Sequence, residues 1–236
     1  MTHVLRSAVV TDVGQRRRDN EDSAFAGERL QAVADGMGGH AGGEVASGIA
    51  ISVLSTLSEM DERDDSDLAA ALTDAVAEIG RRLDEEAPAG AGTTLTALLW
   101  SGPRFVLAHL GDSRCYRLRD GDLEQLSRDH TLVQDLLDEG RITAEEAFHH
   151  PRRAILVRAL QAGSAAEPDL LHDEAAAGDR YLLCSDGLTD VVPGNEIVGP
   201  LADEDDPEAA ARRLVELANE GGGPDNITCV VVDYEG

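Results

Sequence analysis

Three features of the 236-residue chain predict an α+β fold built from two layered, largely antiparallel sheets with helices outside them. Short apolar runs of strand length arrive in pairs, not one per helix as in alternating βαβ units. The helical stretches also arrive in pairs, each with an apolar stripe at i, i+3/i+4 spacing. No internal repeat or flexible linker divides the chain, so residues 1–236 read as a single domain.

The elements follow in order. Val4 to Val10 and Leu30 to Ala34 are strand-like. A helix follows, with Val45, Ile49, Val53 and Leu57 on one face and Ala46, Ala50 and Leu54 widening it. The acidic stretch Asp61 to Asp67 is a loop in which Ser66 or Asp67 can cap the next helix, striped by Leu68, Leu72, Val76, Ile79 and Leu83. Gly90-Ala91-Gly92 breaks that pattern, and strands are expected over Thr93 to Trp100, Phe105 to Leu110 and Cys115 to Leu118. Asp120-Gly121 turns the last of these into Leu123 to Leu126 as a hairpin. Residues 131–148 read as short helices broken at Gly140, and His149 to Glu167 as a functional loop with a short helix. Strands at Leu170 to His172, Tyr181 to Cys184 and Ile227 to Val232, with helices near 194–201 and 207–220, complete the chain.

Composition removes whole function classes. Acidic residues number 46 and basic residues 20, a net charge of −26, and every basic residue is arginine. Without lysine there is no P-loop, no kinase phosphate-binding lysine and no Schiff base. A broad basic surface for nucleic acid or anionic lipid is missing too, Arg16-Arg17-Arg18 being the local exception. No apolar run approaches the roughly 20 residues that span a bilayer. The first residues lack the pattern of a secretory leader, so the chain reads as cytoplasmic and monomeric. Cys115, Cys184 and Cys229 stand far apart, odd in number and without a CxxC pair, as buried thiols would.

Three aspartates stand where apolar runs meet loops. Asp35 closes Leu-Gln-Ala-Val-Ala-Asp-Gly, Asp186 closes Tyr-Leu-Leu-Cys-Ser-Asp-Gly, and Asp225 opens the last strand in Gly-Gly-Gly-Pro-Asp-Asn-Ile-Thr. Asp-Gly is ordinary turn chemistry. It also lets carboxylates at strand ends enter a shared site, since glycine admits close backbone approach and offers its carbonyl. Clustered carboxylates need cations between them, and all-oxygen ligation suits magnesium or manganese.

Six ordered blocks decide between these readings: Arg17-x-x-Asn20-Glu21-Asp22, Asp35-Gly36-Met37-Gly38-Gly39-His40, Gly92-Thr93-Thr94, Gly111-Asp112-Ser113-Arg114, Ser185-Asp186-Gly187-Leu188 and Gly223-Pro224-Asp225-Asn226. Together they span essentially the whole chain, which resembles the bacterial branch of the metal-dependent protein phosphatases of type 2C. The resemblance implies an α-β-β-α sandwich and a serine/threonine phosphatase acting on phosphoproteins, often those of a serine/threonine kinase. It further implies a binuclear Mn2+ or Mg2+ centre. Asp35 would bridge the two ions, with the Gly36 carbonyl, Asp186 and Asp225 completing the protein ligands and Glu21 and Asp22 holding waters on the metals. Arg17 would pair with the substrate phosphate, and Asp112 with Asp186 would bind a third ion. In some bacterial relatives a serine lies near that ion; here the matching position is Ala154. Water activated between two cations attacks phosphorus directly, so no side-chain nucleophile is needed. Ser113 and Ser185 lie in acidic turns without a triad, and there is no GxSxG.

Other readings are weaker. Gly36-Met37-Gly38-Gly39-His40-Ala41 fits G-x-G-x-x-A, yet an acidic loop and a second helix follow where a Rossmann unit needs a parallel strand. His40 reads as structural or as a support for the site; His149-His150 lacks a ligand-spacing partner, and His109 and His130 carry still less signal. A phosphatase-fold regulatory or binding module without catalysis would be expected to lack metal carboxylates, whereas Asp35, Asp186 and Asp225 are all present.

Overall fold

The computed structural model describes residues 4–38, 41–60, 65–163 and 166–236. The chain runs β1 (Leu5–Asp12), β2 (Asp22–Ala26), β3 (Leu30–Met37), α1 (Ala41–Ser55), α2 (Asp65–Glu86), β4 (Gly92–Thr93), β5 (Leu95–Ser101) and β6 (Arg104–Leu110). It continues through β7 (Arg114–Arg119), β8 (Asp122–Gln125), α3 (Leu132–Asp138), α4 (Ala144–Phe148), β9 (Leu160–Gln161) and β10 (Asp169–Glu174). The last elements are β11 (Arg180–Cys184), α5 (Asp186–Thr189), α6 (Gly194–Asp203), α7 (Pro207–Glu220) and β12 (Ile227–Tyr234).

The strands form a five-stranded sheet, β1-β12-β11-β7-β8, and a seven-stranded sheet, β10-β6-β5-β3-β4-β9, with β2 also paired to β3. Every pairing between these strands is antiparallel. Because side chains alternate across a strand, each inner strand serves two layers. Leu95, Ala97 and Leu99 of β5 face the layer under α1 and α2, whereas Leu98 and Trp100 face the other sheet. On β12, Ile227, Cys229 and Val231 pack toward α6 and α7, while Val230, Val232 and Tyr234 enter the space between the sheets. The result is the expected α-β-β-α sandwich with three apolar layers.

Four of the chain's few aromatics meet in the middle layer. The Trp100 ring lies 4.7 Å from Phe105, 5.3 Å from Tyr181 and 6.0 Å from Tyr234, centroid to centroid. Its indole N–H donates to the buried Gln31 Oε1 at 2.7 Å, so burying the polar edge leaves nothing unpaired. All three cysteines are free and buried. The β7–β8 hairpin turns at Asp120 (φ 52°) and Gly121 (φ 86°), the two positive angles that a type I′ turn requires.

Three local expectations are corrected. Helix α2 spans Asp65–Glu86, so Ser66 and Asp67 lie inside its first turn and neither is its cap, and the acidic Asp65 and Asp67 there favour the helix dipole. Residues 149–163 hold a turn and strand β9, which pairs with β4, and no helix. Strand β2 and the single turn α5 were not foreseen. Among the described residues no helix is long and apolar enough to cross a membrane.

Candidate active site

A cleft of about 750 Å³ opens at one end of the two sheets. Asp35 and Gly36 reach it from the end of β3, Asp186 from the first position of α5 just beyond β11, and Asp225 from the approach to β12. Asp112, Glu21 and Arg17 complete its charged lining, from the β6–β7 turn and the loop between β1 and β2. Asp22, which opens β2, sits directly behind. Sites predicted from blocks 208 residues apart in sequence (Arg17 and Asp225) thus share one floor.

The backbone around each block is tightly tied. The Asp35 N–H donates to Thr94 Oγ1 (2.9 Å), and the Asp35 carbonyl accepts from the Thr94 N–H (2.9 Å) and the Thr93 hydroxyl (3.0 Å). Thr94 Oγ1 also shares a hydrogen bond with Ser113 Oγ at 2.7 Å, which fixes the turn bearing Asp112. That turn is also held from behind: the Gly111 N–H donates to His130 Nδ1 (3.1 Å). This bond assigns the proton to Nε2, 3.0 Å from Asp169 Oδ2. Gly36 permits the close approach at the ligand edge. A Cβ there would stand 2.2 Å from the Gly43 carbonyl oxygen and 2.5 Å from that of Glu21.

Asn226 joins the first and last blocks. Its amide donates to the carbonyls of Val13 and Asp19, both at 3.0 Å, and its Oδ1 accepts the Glu21 N–H at 2.8 Å. The loop carrying Arg17 and Glu21 is therefore hung on the residue after Asp225. Replacing Asn226 by alanine strands one donor and two acceptors, and should destabilise the fold by about 2–4 kcal/mol. A urea midpoint within error of wild type would show that water takes over all three bonds.

Electrostatically the floor is crowded. Burial pushes the Asp35 carboxyl well above the usual range, and the charges of Asp186, Asp22, Asp112 and Asp225 add to it. Asp186 is raised in the same way, by burial and then by Asp112, Asp190 and Asp225. Asp112 is pushed up to about 7 by burial, with Asp129 and Asp190 contributing. Burial likewise lifts Asp22 to about 6, against hydrogen bonds from Thr228 and Ser185 that favour its charged form. Ser185 donates to Asp22 Oδ2 (2.8 Å) and accepts the Thr228 N–H (3.0 Å), which commits it to structure and removes it as a nucleophile.

The donor set fits divalent cations. Asp22 Oδ1 is buried with no hydrogen-bond partner, an orphaned acceptor among carboxylates that repel one another. Cationic compensation on the floor is slight: Arg17 Nη2 sits 2.6 Å from Asp225 Oδ2, and Arg153 pairs with Asp190 at 2.8 Å. Among the described residues no three His, Cys, Asp or Glu side chains are already drawn together around one point. The carboxylates ring the cleft, and Asp225 turns to the nearest guanidinium.

Several sequence-based assignments can now be located. Ala154 lines the cleft with Asp112. His40 lies outside the described residues. The His149 ring packs on Phe148 and His150 Nδ1 accepts the Arg152 N–H, so both serve local structure. Asp190 was missed. It stands four residues after Asp186, one helical turn on, and shares with Asp112 and Asp186 a second cavity of about 250 Å³. That i, i+4 pair of acids was the available signal.

Comparison with known proteins places this geometry. The family model for "Protein phosphatase 2C" matches residues 11–225. "Serine/threonine protein phosphatase PstP" of Mycobacterium tuberculosis is 52% identical over 241 residues, covering 99% of this chain and 46% of the relative. The chain thus spans about half the length of that relative. "Serine/threonine phosphatase stp" of Listeria monocytogenes is 38% identical over 237 residues, covering 95% of this chain and 94% of the relative. A crystal structure of the catalytic domain of PstP in complex with two manganese ions superposes with a TM-score of 0.91 at 49% identity, each chain covered completely. With the family model spanning most of the chain and a near full-length relative well above 30% identity, the protein belongs to the protein phosphatase 2C family.

Proposed function

We propose that the chain is a protein serine/threonine phosphatase that hydrolyses phosphoserine and phosphothreonine on other proteins with bound Mn2+ or Mg2+. The observation that carries this reading is the ring of mutually raised carboxylates on one cleft floor, with Asp22 Oδ1 left without a partner. Asp35, the Gly36 carbonyl, Asp186 and Asp225 would hold two ions, Glu21 and Asp22 would act through water, and Asp112 with Asp186 would take a third. When bound, such ions lower the pKa of water and offset the charge of the phosphoryl group.

The chain's own groups do the remaining work. Arg17, half-exposed beside Asp225, can turn its guanidinium fork onto two phosphate oxygens and so orient the ester. The Thr93–Thr94 and Ser113 bonds keep Asp35 and Asp112 from drifting apart. Both acidic-turn serines are hydrogen-bonded into the scaffold, which supports direct attack by water. We read residues 1–236 as one catalytic domain that works as a cytoplasmic monomer on the substrates of a serine/threonine kinase. The net charge of −26 argues against nucleic acid.

Metal removal is the test. Hydrolysis of p-nitrophenyl phosphate and phosphothreonine peptides should vanish after exhaustive chelation and return with Mn2+ or Mg2+. Undiminished turnover in chelator would overturn the metal-dependent reading, and no turnover in either metal would favour a binding module.

A further inference from the structure

In a chain with more than two acids per arginine, nearly every guanidinium among the described residues finds a carboxylate. The sheets use theirs in bidentate pairs, such as Arg114–Asp129, Arg119–Asp179 and Arg180–Asp233. Helices use theirs along the surface, as Arg81 does with Glu78 and Glu85. Arg29 is satisfied by the Trp100 and Met60 carbonyls. Among the described residues the side chains of three arginines, Arg16, Arg18 and Arg152, make no ion pair or hydrogen bond. Two of these three, Arg16 and Arg18, line the cleft on either side of Arg17. Both are exposed, and Arg18 stays unpaired although Asp19 is its neighbour.

Building on the phosphatase reading, we propose that Arg16 and Arg18 recognise acidic side chains close to the phosphorylated residue, so that the cleft takes acidic phosphopeptides. Arg17 meets the phosphate, and its two neighbours carry the same planar donor fork to either side of it. Consecutive Cα atoms are about 3.8 Å apart, so carboxylates within about two residues of the phosphate fall in reach. The wider field points the other way. At −26 the chain repels anions at long range, but that field is screened beyond about 8 Å at physiological ionic strength. Close charge pairs outlast it. A long polyanion would need several phosphate contacts at once; two guanidinium groups suit a short acidic segment.

The test compares two phosphothreonine peptides of equal length, one with Asp and Glu at the flanking positions and one with Asn and Gln. Turnover with Mn2+ and binding by fluorescence anisotropy are measured for wild type and for the double variant Arg16→Gln, Arg18→Gln. Arg141→Gln, which removes an arginine paired to Glu139 away from the cleft, controls for net charge. Wild type and the Arg141→Gln control should favour the acidic peptide about three- to tenfold in kcat/KM, through KM, as expected for two exposed ion pairs. In the double variant the ratio should fall close to one. A ratio that survives the double substitution, or a wild type that prefers the neutral peptide, overturns the proposal, and the anisotropy ratio decides this even without turnover. Failure of both peptides and of p-nitrophenyl phosphate to react would instead overturn the phosphatase reading.

Discussion

Asp35→Asn should lower kcat/KM at least about a hundredfold, the scale of losing one preorganised charge at a reacting centre, while making the metal-free chain harder to unfold. Both effects come from one fact. Asp35 is buried, which disfavours its charge, and the charges of Asp186, Asp22, Asp112 and Asp225 add to that penalty. Asparagine keeps the volume and removes the repulsion, but it also removes the ligand charge. The same crowding sets the pH dependence without metal. Carboxyls raised in the folded state bind protons that the unfolded chain, with aspartates near 3.9, does not bind at the same pH. Stability should therefore rise as pH falls from about 7, where Asp112 titrates, through about 6, where Asp22 does. It should decline as pH increases through that window. Thermal unfolding in chelator at both ends of the window, for wild type and variant, measures this. A variant less stable than wild type at neutral pH would mean that repulsion on the floor is already relieved.

The second large effect is expected at Gly187. A Cβ at this position would lie 1.9 Å from the Asn226 carbonyl oxygen, a distance that only a backbone shift can relieve. Gly187→Ala should cost about 3 kcal/mol or more, the upper range for forced overpacking. Activity should fall with it, because the shift separates Asp186 from Asp225. Gly48 is the control: it lies in α1 with nothing within 4 Å of its would-be Cβ. Alanine there should be neutral or stabilising by up to about 1 kcal/mol, as helix propensity dictates. Equal urea midpoints for the two variants would show that the Asp186 turn yields without cost.

Much of this architecture was legible because burial is periodic. The stripe Leu68-Leu72-Val76-Ile79-Leu83 announces a helix and is buried as read, and the apolar run Thr93 to Trp100 announces a strand, where β5 is buried along its whole length. Strand β2, Asp22-Ser23-Ala24-Phe25-Ala26, gave no such signal because all five residues are half-buried and neither face alternates. Helix α5 is one turn long and β9 two residues, too short for any period. The aspartates were found from their strand-end context and from the resemblance that ordered the blocks. Their partners were not. That Arg17 rests on Asp225 and that Asn226 suspends the Arg17 loop depend on contacts across the fold, which one sequence does not encode locally.

The pairing of the first strand with the last has a consequence for how the protein is made. Leu5 lies opposite Tyr234 and Asp12 opposite Ile227, so the five-stranded sheet cannot close until the ribosome has delivered both ends. Contacts of such sequence separation form slowly, because the loop they close must be ordered first. Asp22 and Asp35 leave the ribosome early, whereas Asp225 arrives almost 200 residues later and its strand then adds beside β1. Every shorter nascent chain would lack one wall of the cleft, so capacity to bind metal and capacity to turn over substrate would both appear only with the final strand.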